Sequence, residues 1–190
     1  MNELNEYKEI INNPIFFERN RVFRVYQGGK LFHDFFGDAP EDGNYPEEWI
    51  ASSVKAINKV ESHAKEGISK IKGSDVYFDD LLKTHKTEMI GERADLGILV
   101  KVLDSAIRLP IQAHPDKEFS KKYFLSDYGK AEMWVVLETR PDAKLYFGFK
   151  EQISKDEFSK KVEESIENKQ VMLELLNAIT PKKGDVYFVP

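Results

Sequence analysis

Hydrophobic and polar residues alternate with a period of two in several short segments of this chain. Such alternation is typical of β-strands that bury one face. Turn-forming residues separate the segments, for example Gly28-Gly29 and the stretch from Asp38 to Pro46, which is rich in Gly, Pro, Asp and Asn. Together with runs of apolar residues, the pattern predicts strands at Val22–Tyr26, Trp49–Val54, Ile98–Asp104, Leu109–Pro115, Glu132–Glu138, Lys144–Phe149 and Val186–Pro190. Ile98–Asp104 is expected to be a buried strand with Lys101 in its middle.

A helical period replaces this alternation at about residues 151–180. Apolar residues recur there roughly every three to four positions, and Ser154-Lys-Asp-Glu157 has the form of a capping box. We expect two helices with a break near Asn168. Asp79–His85 reads as a short helix capped by an aspartate, and residues 1–13 as a short helix or a frayed segment.

Closely spaced strands with short polar connections predict an antiparallel β-sandwich or barrel. The fold class is therefore mainly β, with a helical excursion at about 151–180. At 190 residues the chain is long enough for one sizeable core, so we expect one domain over residues 1–190.

Composition and charge exclude several classes of protein. Hydrophobic residues make up 41% of the chain, which is enough to bury a core. The net charge is −5 and the lysines are scattered among acidic residues, so we expect no nucleic-acid partner. The N-terminus lacks a basic start followed by an apolar core, and no apolar run approaches the roughly 18 residues of a membrane span, so we expect a cytoplasmic protein that does not cross a membrane.

The candidate chemistry lies around a Gln-x-His segment. Gln112 and His114 are two residues apart, so on a strand their side chains leave the same face and can converge on one ion. The alternative is an ordinary strand with polar residues on its solvated face. Because the chain has no cysteine, nitrogen and oxygen atoms must hold any metal.

Glu132 supplies the carboxylate that such a site needs. It follows Gly129 and Lys130 and opens a strongly apolar segment. An imidazole, a carboxylate and an amide oxygen form a plausible partial ligand set for zinc, manganese or iron.

Three segments in this order carry a resemblance to a known family. Leu99-Val-Lys-Val-Leu-Asp104, Ile111-Gln-Ala-His-Pro-Asp116 and Gly129-Lys-Ala-Glu-Met-Trp134 closely resemble segments of the type I mannose-6-phosphate isomerases. Gly28-Gly-Lys-Leu-Phe32 and Glu47-Glu-Trp49 extend the similarity, which runs from about Pro14 to the end. Gly184 to Pro190 resembles the opening of the family's second cupin motif.

The resemblance implies a cupin-like (jelly-roll) antiparallel β-barrel with a helical insertion. It implies that Gln112, His114 and Glu132 bind Zn²⁺, although another divalent metal is possible. It also places Glu47, Lys101 and Lys130 in the pocket near the metal, as candidate catalytic residues. The alternative is that Lys101 and Lys130 are ordinary surface charges and that Glu47 is an acidic residue of a loop.

The family's fourth ligand, a second histidine, lies beyond the position of Pro190. We therefore expect the barrel to be incomplete at its C-terminus. This predicts that the chain alone binds zinc weakly, self-associates through an uncovered sheet edge and shows no isomerase activity.

The implied reaction is an aldose–ketose isomerisation that interconverts mannose 6-phosphate and fructose 6-phosphate through an enediol. Two departures bear on the substrate: Pro110 stands where the family usually has a phosphate-binding serine, and Ser52-Ser-Val replaces a Ser-x-His-Pro segment. The alternatives are an isomerase or epimerase of another sugar and a non-catalytic cupin-like sugar-binding module. The general base stays unassigned.

The remaining histidines, His33, His63 and His85, lack the spacing of metal ligands. We interpret each of them as a surface or capping residue.

Overall fold

The computed structural model describes residues 3–58 and 64–190, so His63 lies outside the described residues. The chain divides into two compact units, Met1–Leu109 and Pro110–Pro190. The single domain expected from chain length stays a prediction. Within the described ranges, no helix is long and apolar enough to cross a membrane, and the cytoplasmic location also stays a prediction.

The first unit combines four helices with one small antiparallel sheet, as far as the described residues show. The helices are α1 (Glu3–Ile11), α2 (Phe32–Phe36), α3 (Phe78–Thr84) and α4 (Lys86–Ile90). The strands, in the sheet order β1-β2-β3, are β1 (Arg21–Val22), β2 (Glu47–Ile50) and β3 (Val100–Leu103). Both strand pairs are antiparallel, so the predicted strands around Val22, Trp49 and Lys101 are confirmed in shorter form.

Two apolar clusters stabilise the first unit. In the larger one, Phe78, Leu81 and Leu82 of α3 are buried together with Ile71 and Val76, and side chains of α1 pack against this cluster. The smaller cluster joins Val22, Trp49 and Ala56 next to the sheet. Of the two alternatives for the N-terminal segment, a short helix or a frayed segment, the structure has the helix, and its apolar face explains why it forms.

The α3 helix is confirmed, but its predicted aspartate cap is wrong. Tyr77 occupies the N-cap position, without a side-chain hydrogen bond. Asp79 is instead buried and accepts hydrogen bonds from Lys65 and Lys83. Burial by itself would raise the pKa of Asp79, but the hydrogen bonds and charges of these two lysines outweigh it and hold this pKa below its ordinary value.

The Gly28-Gly29 turn is held by a buried carboxylate. Asp104 accepts hydrogen bonds from the backbone N–H groups of Gly29 and Leu31, at 3.0 and 2.9 Å. A Cβ atom at Gly28 would lie 1.8 Å from the Asp104 carbonyl oxygen, which no side chain tolerates. This close backbone approach explains the glycine at position 28.

In its described residues, the second unit holds three helices and two separate antiparallel strand pairs. The helices are α5 (Lys117–Phe124), α6 (Lys155–Glu167) and α7 (Gln170–Glu174), and the strands are β4 (Glu132–Val135), β5 (Leu145–Phe149), β6 (Leu176–Ile179) and β7 (Val186–Val189). Strand β4 pairs with β7, and β5 pairs with β6. Antiparallel pairing is therefore confirmed, and the described strands do not close into a barrel.

The helical excursion is confirmed in its first part and wrong in its last. Ser154 caps α6 by accepting a hydrogen bond from the Glu157 N–H at 3.2 Å, and the break falls at Asn168 as predicted. The predicted helix does not reach residue 180, because Leu176–Ile179 forms strand β6 against β5. The spacing of Leu173, Leu176 and Ile179 fits a helix, and tertiary pairing overrides it.

Candidate metal centre

The segment that carries Gln112 and His114 is not a strand, which corrects the sequence prediction. Residues 108–116 form an extended loop that ends at Asp116, the N-cap of α5, whose carboxylate accepts from the Phe119 N–H at 2.7 Å. Pro110 and Pro115 lack the N–H groups that a strand ladder needs, which explains the irregular backbone.

Close packing against Gly129 and Lys130 positions this loop. The Lys130 N–H donates to the Pro115 carbonyl oxygen at 2.9 Å. A Cβ atom at Gly129 would lie 3.0 Å from the same oxygen, so the approach favours glycine. The Gln-x-His segment is therefore held beside the start of β4, which carries Glu132.

The predicted ligands form one cluster with Lys130. Lys130 Nζ donates to Gln112 Oε1 at 2.6 Å and lies 3.9 Å from Glu132 Oε1. His114 Nε2 lies 3.7 Å from Glu132 Oε2. The side chains of His114 and Glu132 are 10% and 25% exposed, so both are partly shielded from solvent. Four of the six candidate site residues thus lie together in the second unit.

His114 has unused bonding capacity. Its Nδ1 atom is buried and has no hydrogen-bond partner among the described residues. Its Nε2 atom faces the Glu132 carboxylate at a distance too long for a hydrogen bond. Two ligands of one tetrahedral zinc ion, each about 2.1 Å from the metal, lie about 3.4 Å apart, so a separation of 3.7 Å fits a shared ion with little movement.

The donor types also fit a divalent cation. Within residues 3–58 and 64–190, no three His, Cys, Asp or Glu side chains gather into a cluster that could hold an ion. At this place the described residues offer the amide oxygen of Gln112 as a third ligand beside His114 and Glu132. The Lys130 ammonium group, next to Gln112 Oε1 and near Glu132, shows that these oxygen atoms already attract a positive charge.

The first unit holds the other two candidates, Glu47 and Lys101, around a buried carboxylate. Glu47 is only 3% exposed. Its Oε1 atom accepts a hydrogen bond from the Tyr26 hydroxyl and pairs with Arg24 Nε at 3.1 Å. Its Oε2 atom accepts from Trp49 Nε1 at 2.7 Å, and Lys101 Nζ lies 3.5 Å from Oε1. The carboxylate is surrounded by donors on both oxygen atoms.

These donors decide the charge of Glu47. Burial by itself would raise the pKa of Glu47, but the hydrogen bond from Arg24, the charge of Lys101 and the hydrogen bonds from Tyr26 and Trp49 outweigh it and hold this pKa below its ordinary value. Burial and the nearby carboxylate raise the pKa of Tyr26 in turn. Glu47 is therefore an anion and Tyr26 a neutral donor at neutral pH.

Lys101 departs from the predicted buried strand. Its partner on β2 is Trp49, but Val100 and Leu103 of the same strand are exposed, and the lysine side chain is one-third exposed. The ammonium group is thus tied to Glu47 and still reachable from solvent.

The two described histidines outside the cluster behave differently. His33 is exposed, and its Nδ1 lies 2.8 Å from the Asp38 carbonyl oxygen. His85 is buried at the boundary between α3 and α4, with its ring edge against Tyr7. Its place at a helix end agrees with the prediction of a capping residue. Its burial rules out the alternative of a surface residue.

Sequence reasoning gave no role to Trp134 or Tyr26. Trp134 Nε1 donates to Glu132 Oε2 at 2.9 Å, and the Glu-x-Trp spacing on a strand could have revealed this contact. Tyr26 is 21 positions from Glu47, and no local pattern links the two residues.

Comparison with known proteins identifies the class of protein. The family model described as phosphomannose isomerase type I, catalytic domain, matches residues 28–130, which is more than half of the chain. The chain therefore belongs to the type I phosphomannose isomerase family, as the resemblance predicted.

Two curated relatives are named as a mannose-6-phosphate isomerase, one of them as probable. The chain is 31% identical over 185 residues to the probable mannose-6-phosphate isomerase GmuF of Bacillus subtilis (strain 168), covering 95% of this chain and 53% of that protein. It is 26% identical over 182 residues to the mannose-6-phosphate isomerase of Streptococcus mutans, covering 93% of this chain and 52% of that protein. The chain thus spans about half the length of these curated relatives.

Two solved structures share the fold. The crystal structure of the mannose 6-phosphate isomerase from Bacillus subtilis matches with a TM-score of 0.67 and 23% identity, over 93% of this chain and 52% of that one. A putative mannosephosphate isomerase from Archaeoglobus fulgidus matches with a TM-score of 0.68 and 20% identity, over 93% of this chain and 56% of that one. At these identities the likeness concerns the fold alone.

Proposed function

We propose that this chain supplies the metal-binding part of an aldose–ketose isomerase that interconverts mannose 6-phosphate and fructose 6-phosphate. The observation that carries the proposal is the cluster of Gln112, His114 and Glu132, in which an imidazole nitrogen and a carboxylate oxygen face each other at 3.7 Å. Membership of the type I phosphomannose isomerase family supports the reaction and the sugar phosphate substrate. The antiparallel strand pairs belong, in this proposal, to a cupin-like barrel.

Gln112, His114 and Glu132 would hold the zinc ion through one amide oxygen, one imidazole nitrogen and one carboxylate oxygen. Zinc bound there supplies a Lewis acid that polarises the carbonyl group of the open-chain sugar. His114 and Glu132 are partly shielded from solvent, and this shielding strengthens their electrostatic interactions with a bound ion.

Two candidate lysines, one in each unit, carry positive charge that such a reaction can use. Isomerisation moves a proton between adjacent carbon atoms and builds negative charge on an oxygen atom. Lys130 presents an ammonium group fixed by Gln112, and it can stabilise that charge or return a proton. In the first unit, Lys101 Nζ lies 3.5 Å from Glu47 Oε1. Glu47 acts here as the fixed counter-ion of Lys101, because hydrogen bonds occupy both of its oxygen atoms.

An assay of the intact gene product tests the proposal. The protein is stripped with a chelator, zinc is added back, and fructose 6-phosphate formation from mannose 6-phosphate is followed with a coupled enzyme. We expect activity that depends on zinc and is lost in His114→Ala but retained in His33→Ala. Zinc-independent turnover, or full activity in His114→Ala, would contradict the proposal.

Pro110 favours a second candidate, an isomerase or epimerase of another sugar that uses the same metal ligands. Proline offers neither a hydroxyl group nor an N–H to a phosphate group at this position. Turnover of unphosphorylated sugars by the zinc-loaded protein, with none of mannose 6-phosphate, would select this candidate.

A further inference from the structure

The chain contains the same local arrangement twice, once in each unit. On β2 the indole N–H of Trp49 donates to Glu47, and on β4 the indole N–H of Trp134 donates to Glu132. The two distances, 2.7 and 2.9 Å, describe equally good hydrogen bonds. In each case the residues are two apart on a strand, so their side chains leave the same face and the indole reaches the carboxylate.

The carboxylates of Glu47 and Glu132 differ in how many of their hydrogen-bond acceptor sites are occupied by other side chains. Oε1 of Glu47 accepts from the Tyr26 hydroxyl and pairs with Arg24 and Lys101, so its acceptor sites are filled by protein. Oε1 of Glu132 has Lys130 Nζ at 3.9 Å, which is too far for a hydrogen bond. Oε2 of Glu132 faces His114 Nε2 at 3.7 Å, again without a hydrogen bond. Glu132 can therefore accept a cation, whereas Glu47 cannot without losing an existing partner.

From this contrast we infer that Trp134 is the positioning residue of the metal ligand Glu132. The inference rests on the proposed metal centre. The indole N–H fixes the carboxylate in the orientation that faces His114 before any ion binds, so less side-chain freedom is lost on binding. An indole suits this task because it donates one hydrogen bond, carries no charge to repel a cation and has no acceptor atom that competes as a ligand.

A matched pair of variants tests the inference in the intact gene product. Trp134→Phe removes the N–H and keeps an aromatic ring, and Trp49→Phe makes the same change at the other Glu-x-Trp. Zinc affinity is measured by competition with a chromophoric chelator, and the melting temperature of each metal-free variant is measured separately. The melting temperature distinguishes a variant that has lost its fold from one in which only the orientation of Glu132 has changed.

We expect Trp134→Phe to weaken zinc binding by about 10- to 100-fold, as is typical when a hydrogen-bonding partner of a metal ligand is removed. Trp134 is 38% exposed, so its metal-free melting temperature should change little. Trp49→Phe should keep the wild-type zinc affinity, even where it lowers the melting temperature, because Trp49 is buried in the first unit.

The possible failures are distinguishable. Wild-type affinity in Trp134→Phe overturns the inference and leaves the metal centre standing. Equal weakening in both variants also overturns it, since the effect is then not specific to Glu132. If the unmodified intact gene product binds no zinc at all, the proposed metal centre fails and the role of Trp134 fails with it.

Discussion

Lys130 Nζ lies 2.6 Å from Gln112 Oε1 and fixes which atom of the amide faces the cluster. An ammonium group only donates hydrogen bonds, so the atom next to it must be the amide oxygen. The same oxygen is the atom through which glutamine binds a cation. The contact therefore presents Gln112 in the orientation that a metal ligand needs.

His114 is expected to dominate metal affinity in this cluster. His114→Ala removes the one imidazole ligand that this chain supplies and leaves it a carboxylate and an amide, so we expect zinc affinity to fall by at least about 100-fold. His33→Ala is the matched control, because His33 is exposed and contacts a backbone carbonyl of its own loop. Isothermal titration calorimetry with zinc on both variants measures the difference, and equal affinities would exclude His114 as a ligand.

The charge of Glu47 makes stability depend on pH. Because its pKa is held below the ordinary value of 4.5, its contribution is complete above that pH and is lost as the pH falls through the lower, folded-state value. Glu47→Gln removes charged hydrogen bonds and should cost about 2 kcal/mol of unfolding free energy at pH 7. This deficit should shrink towards pH 3.

Urea unfolding of wild type and Glu47→Gln across pH 3–7 checks this expectation. Glu41→Gln, at an exposed glutamate, is the control and should follow the wild-type curve. A deficit in Glu47→Gln that stays constant at all pH values would show that the Glu47 carboxylate does not titrate as described.

The N-cap of α6 offers a test of local stability. Ser154→Ala removes the side-chain acceptor for the Glu157 N–H and should destabilise the protein by about 1 kcal/mol. Ser159→Ala, on the exposed surface of the same helix, makes the same chemical change in the helix interior and should be neutral or slightly stabilising. Thermal unfolding of both variants measures the contrast, and equal effects would argue against the cap.

Features that depend on local residues could be predicted from the sequence. The cap at Ser154, the break at Asn168 and the strand at Val186–Val189 follow from hydrogen-bonding side chains and alternation within a few residues. The strand at Leu176–Ile179 could not, because its spacing also fits a helix and only pairing with β5 decides between them.

For the candidate metal site, the types of ligand could be predicted from the sequence. The backbone conformation and packing that bring them together could not. The interpretation of Gln112 and His114 assumed a strand, and the structure instead holds a loop against Gly129. The contact between Lys130 and Gln112 depends on that packing, which no local pattern encodes. The resemblance of three segments to one family carried the prediction where spacing alone left alternatives open.

Pro110 yields a prediction on the substrate. If lysine or arginine side chains elsewhere replace the missing hydroxyl group, the intact gene product should turn over mannose 6-phosphate far faster than free mannose. Steady-state kcat/KM values for the two sugars, measured with the same zinc-loaded sample, decide the question. Equal values would mean that the protein does not recognise a phosphate group.

The central claim is that Gln112, His114 and Glu132 share one divalent ion, and anomalous diffraction tests it most directly. Crystals grown with zinc are measured on both sides of the zinc absorption edge. The account predicts one strong anomalous peak about 2.0 to 2.2 Å from His114 Nε2, Gln112 Oε1 and a carboxylate oxygen of Glu132. Zinc bound elsewhere, with these three side chains contacting each other or Lys130 alone, would contradict it.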